Sequence, residues 1–165
     1  MTRRLGNVAL FLLLAALAGF VWRSSQALPP VVAAHFSASG AADGFMPRGV
    51  YIGFALVLVA CVPALIAFLP LAVAGRDGMK LRLPHRDYWL APERRADTLA
   101  FIGGHGKWFA AALALFLGHV HGLVVRANAL QPPKLSSAGI AIGLIVFFLA
   151  LAVWLWVLFA RFRRR

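Results

Sequence analysis

Four apolar runs separated by three polar stretches set the plan of this chain. Leu5 to Trp22 is unbroken over 18 residues, which as a helix reach about 27 Å, close to a hydrocarbon core of roughly 30 Å. A first membrane-spanning helix over 5–22 is predicted. Arg3 and Arg4 with Ser25-Gln26-Ala27 would also suit a cleaved signal peptide, but the run ends on Trp22-Arg23, an interface anchor that favours retention. The second run predicts a span over 50–74 and contains Pro63 and Pro70, which remove backbone donors and are expected to kink or loosen it. The third apolar region, Leu99 to Val125, is interrupted by Gly103, Gly104, His105, Gly106 and Lys107. Its span is therefore placed at 108–126, with Lys107 snorkelling to the membrane surface. The fourth span is predicted over 138–160 and is stopped by Arg161, Arg163, Arg164 and Arg165.

The connections are then 23–49, 75–107 and 127–137. The central one carries Arg76, Lys80, Arg82, Arg86, Arg94 and Arg95 against Asp77, Asp87, Glu93 and Asp97. Within it Pro92-Glu93 reads as a helix start with an acid in the first turn. Tyr88 and Trp89 read as interface anchors.

Composition turns this pattern into a class. A chain of 165 residues that is 62% hydrophobic, with mean hydropathy +0.82, carries more apolar surface than a water-soluble domain of its size can bury. The expected fold is an all-α integral membrane protein, a single domain over 1–165 with four transmembrane helices. Its net charge of +12 flanks the apolar runs instead of lining one soluble face, which argues for the lipid bilayer and against nucleic acid as partner. Thirteen basic residues fall on the side of the termini and central connection, and four (Arg23, Arg48, Arg126, Lys134) on the other. The positive-inside rule then puts both termini in the cytoplasm of a multi-pass inner-membrane protein, with 23–49 and 127–137 facing outward. The Arg161–Arg165 tail is a topology determinant and, secondarily, a patch for anionic lipid or an acidic partner. Cys61, the one cysteine, reads as a small buried hydrophobe.

Nucleophile-elbow, phosphate-loop, zinc-helix and dithiol motifs are absent, so no catalytic residue is assigned. The remaining chemistry lies in the histidines. His105, Ala112, His119 and Arg126 recur every seven residues on one helix face, and Lys107, Ala114, His121 and Asn128 on another. Ionisable groups inside a span are costly unless paired or wet. Gly118 and Gly122 form a small-xxx-small pair, suited to packing inside the protein or to a homodimer seam.

The stretch Leu28 to Gly49, LPPVVAAHFSASGAADGFMPRG, carries a more specific pattern at Leu28, Pro29, His35, Phe36, Gly40, Asp43 and Arg48. It resembles the first extramembrane loop of the domain of unknown function 1648 family, whose described relatives include the SdpI-type immunity proteins. The segment HRDYWLAPERRADTLAFI resembles a feature of one subgroup of that family. The resemblance covers about the first third of the chain. It implies a non-enzymatic receptor, immunity or sensing protein in which His35, Phe36, Gly40 and Asp43 form a ligand-binding or structural loop motif and the partner is an extracytoplasmic peptide or protein. The SdpI-type proteins are longer and differ in the second half, so their ligand and any repressor binding do not carry over.

Two further functions fit the same residues: a metal-binding or transport-linked protein, and an accessory subunit of a larger membrane complex. His35 and Asp43 are expected to fold back onto His119, His121 and Asn128 as one outer polar cluster. Imidazole with carboxylate suits zinc or another transition metal, with His35, Asp43 and His119 as the proposed ligands. His119 and His121 lie about 200° apart on a helix, so only one is expected to join.

Overall fold

The structure is a computed structural model that describes residues 2–74 and 81–163. Arg76, Asp77 and Lys80 of the central connection, and Arg164 and Arg165 of the tail, lie outside the described residues. The chain is mostly helical, with four helices among the described residues long and apolar enough to cross a membrane.

Helix α1 (Thr2–Ser25) extends its apolar run by a turn at its C-terminal end. There Ser24 Oγ donates to the Phe20 carbonyl at 2.6 Å, and Gln26 Nε2 donates to the Trp22 carbonyl at 3.0 Å, one of those that a helix end leaves open. The next segment departs from the all-α expectation. Val31–Phe36 (β1) and Ala42–Pro47 (β2) form an antiparallel hairpin, in register Val31 with Pro47 and Ala33 with Phe45. Pro29 and Pro30 keep this segment out of a helix by restricting their own φ and their predecessors' backbone. Val32 and Ala33 turn inward and are buried.

From Pro47 the chain enters α2 (Arg48–Leu56) and, after one π-helical turn at Val57–Cys61, α3 (Val62–Ala74). The wide turn ends just before Pro63: the Val62 N–H reaches back to the Val57 carbonyl. The loosening expected from the prolines takes this form at Pro63, while Pro70 sits inside continuous helix. Cys61 is exposed on the outside of the bundle, contrary to its expected burial.

After the short α4 (Arg86–Trp89), α5 runs from Pro92 to Asn128 without a break, and α6 follows at Ser137–Arg163. Pro92 starts α5, as its sequence indicates. The glycines at 103–106 do not interrupt it: a Cβ on Gly106 would stand 3.8 Å from the Ile66 and Ala67 carbonyls, so this glycine lets α3 approach closely. Lys107 does not snorkel outward. It is buried, beside Gly6 of α1, because its face of α5 looks into the bundle.

Two apolar clusters hold α1, α2, α3 and α5 together. Near the hairpin Val21, Leu28, Val32, Tyr51, Ala55, Val59 and Val124 pack, and toward the other end Leu10, Leu14, Ala67, Ala110 and Ala114. Gly118 and Gly122 face α1, where a Cβ on Gly118 would meet Leu17 Cδ2 at 2.9 Å. The small-residue pair therefore serves internal packing. α6 lies along α5, and Phe162 is its one buried residue among those described.

Candidate functional site

The hairpin is built onto the bundle at three places. The first is Asn128, the last residue of α5. Its Oδ1 accepts from the Ala33 N–H at 2.9 Å, and its Nδ2 donates to the Ala33 carbonyl and the Val124 carbonyl, each at 2.9 Å. A side-chain amide here does the work of a neighbouring strand on the β1 edge away from β2. All of this is buried, so each bond replaces one that water cannot supply.

The second attachment is the hairpin tip. Gly40, at φ +82°, donates its N–H to the Ser37 carbonyl at 2.9 Å and accepts from the Leu135 N–H at 2.8 Å. That bond belongs to an antiparallel bridge pairing Ala41 with Lys134, so the two connections at this end are joined. A Cβ on Gly40 would stand 2.5 Å from the Leu135 carbonyl oxygen. The positive φ and this approach together call for glycine. The third attachment is Arg48, whose guanidinium reaches the Leu28 carbonyl at 3.1 Å while its N–H bonds the Pro30 carbonyl at 2.9 Å.

Below the clamp, His121 ties three helices. Its Nε2 lies 2.8 Å from Ser24 Oγ of α1, and its Nδ1 2.8 Å from the Tyr51 hydroxyl of α2. The Ser24 hydroxyl has one hydrogen, which its 2.6 Å bond to the Phe20 carbonyl uses. Nε2 therefore donates to Ser24 and Nδ1 accepts from Tyr51. Phe20 stands edge-on to the imidazole at 5.6 Å and Tyr51 stacks at 5.7 Å. This arrangement orders the end of the bundle beneath the hairpin.

The sequence-selected residues divide into separate groups. His35 and Asp43 meet across the hairpin, Nδ1 to Oδ1 at 2.5 Å. Their side chains are 77% and 45% exposed, and they do not fold back onto α5. Phe36 and Gly40 line a cleft of about 370 Å³ with Leu135 and Ser137, between the hairpin tip and the start of α6. His119 faces α6, where its Nε2 donates to the Gly139 carbonyl at 3.0 Å. His121 and Asn128 are buried in the bundle. The single outer polar cluster is thus not assembled: Asn128 holds hairpin backbone, leaving the His35 and Asp43 side chains on the outer surface. The expected ligand set of His35, Asp43 and His119 does not converge either, and among the described residues no three His, Cys, Asp or Glu side chains are grouped to hold a metal ion. Tyr51 and Ser24 were not singled out in the sequence. A tyrosine in the first turn of an apolar helix, needing a partner for its hydroxyl, was the signal available.

Comparison of the chain with protein-family models, with curated proteins and with solved structures finds no match.

Proposed function

We propose that this chain is a multi-pass inner-membrane protein, with both termini and the central connection in the cytoplasm, whose outward hairpin recognises an extracytoplasmic peptide or protein in a receptor, immunity or sensing role. The observation that carries this reading is how the hairpin is mounted. Its inner edge is fixed by the Asn128 clamp, while His35, Asp43 and Phe45 stand exposed on its other surfaces. An ion pair as exposed as His35–Asp43 adds only about 0–1 kcal/mol to stability, so its worth to the fold is small. Phe45 is 58% exposed, an apolar group beside a polar pair on a rigid strand, which suits a contact surface. Orientation rests on the charge asymmetry of the sequence, and the loop's resemblance to the SdpI-type proteins supports the sensing role.

The test is a photoreactive residue at Phe45, with one at Phe148 on α6 as the control, in cells exposed to their own secreted products. The reading expects a discrete adduct from position 45 that weakens when His35 and Asp43 are both replaced by Ala. No adduct, or the same adduct from position 148, would contradict it.

A further inference from the structure

At the end of the bundle away from the hairpin, Arg161 is a cation without a carboxylate among the described residues. It lies in the last turn of α6, with Cζ 4.9 Å from the Trp89 ring centroid and 5.7 Å from that of Phe101. Trp89 is itself fixed. It is buried, edge-on to Tyr88 at 5.1 Å and to Phe162 at 5.3 Å, and its carbonyl accepts from Thr98 Oγ1 at 2.9 Å. The ion pairs His35–Asp43 and Arg94–Glu93 do not involve it. A guanidinium held against ring faces keeps its N–H fork available in plane for two acceptor oxygens.

Beside Arg161 opens a cleft of about 320 Å³ lined by Trp89, Trp156 and Ala160. Trp156 is 70% exposed and sits five residues earlier on α6, about 7.5 Å deeper along the helix axis. A ligand that touches both residues presents an anion at Arg161 and an apolar surface next to it, which describes an amphiphile better than a free anion or an acidic protein. Arg163 and Arg82 add exposed positive charge at the same end. We propose that this cleft is a headgroup site for an anionic phospholipid, the phosphodiester oxygens accepting from the Arg161 fork and an acyl chain lying along Trp156.

The test is thermal unfolding of the delipidated, detergent-solubilised full chain, titrated separately with phosphatidylglycerol, phosphatidylcholine and inorganic phosphate. Phosphatidylglycerol is expected to raise Tm saturably, and the other two are not. Arg161→Gln should raise the half-saturating phosphatidylglycerol concentration at least tenfold, and Trp156→Ala several-fold. Arg163→Gln, which removes the same charge from a side chain without aromatic support, should leave it within twofold. Equal stabilisation by phosphatidylcholine or by phosphate, or equal loss in Arg161→Gln and Arg163→Gln, would overturn the site. If Arg161→Gln cannot be purified, native mass spectrometry of the wild type decides. Retained phosphatidylglycerol in preference to phosphatidylcholine, lost in Trp156→Ala, supports the site, and no preference overturns it.

Discussion

Asn128 holds Ala33 by both of its backbone groups, accepting from the N–H and donating to the carbonyl at 2.9 Å each, across 95 residues of sequence. This contact turns a polar connection into a mounted hairpin, and it makes the end of α5 sensitive to the hairpin's position.

Replacing Asn128 by Leu removes all three of its side-chain bonds and leaves the Ala33 groups buried without partners. Each orphaned group costs about 1–3 kcal/mol. The expected outcome is a clear drop in Tm in detergent, with faster amide exchange over 31–36. Asn128→Asp should also destabilise, because the second oxygen faces the Ala33 and Val124 carbonyls in place of a donor. Unchanged exchange in both variants would mean that the clamp does not hold the hairpin.

Gly40→Val should be harmful, because Gly40 is buried although it sits in a turn. A side chain at φ +82° costs about 1–3 kcal/mol, and its Cβ would force the Leu135 carbonyl away from 2.5 Å. The measurement is Tm, together with proteolysis of the segment 37–41. Gly49, with open space around its Cβ position, should accept Ala with little change.

His121 and Tyr51 should behave as one unit. Each single change, His121→Phe or Tyr51→Phe, strands the polar atom of its partner, whereas the double change strands only Ser24, which keeps its bond to Phe20. A double-mutant cycle on Tm-derived stability should therefore be non-additive by about 0.5–3 kcal/mol, the double variant being milder than the sum. Additivity would show that the bond carries no energy.

That four helices would be long and apolar enough to cross a membrane was legible from run length and hydropathy, although the third begins at Pro92 and not at 108, and Pro92-Glu93 marked its start by local chemistry alone. One face of α5 was also legible from heptad spacing: Lys107, Ala114, His121 and Asn128 are all buried, although His105 of the other set is buried too. Other features depended on tertiary partners. Gly103 to Lys107 looked like a break, but Gly106 serves contact with α3 and Lys107 is enclosed by the bundle. The hairpin is not legible in the sequence because its strands are six residues each, VVAAHF and ADGFMP, without clear alternation of apolar and polar positions. The partner of Asn128 is backbone, so no pairing of side-chain types could reveal it. For the same reason His35 and Asp43 were expected to turn inward, although the attachment is made by the Ala33 and Gly40 backbone and the buried Val32 side chain.

The central claim is that the clamped hairpin is presented on the outer face of the membrane. In a Cys61→Ala background, Ser39→Cys places a thiol at the exposed hairpin tip and His85→Cys places one at the opposite end of the bundle. A membrane-impermeant thiol reagent applied to intact cells should label the first readily and the second only after permeabilisation. Labelling of His85→Cys in intact cells with protection of Ser39→Cys would contradict the account.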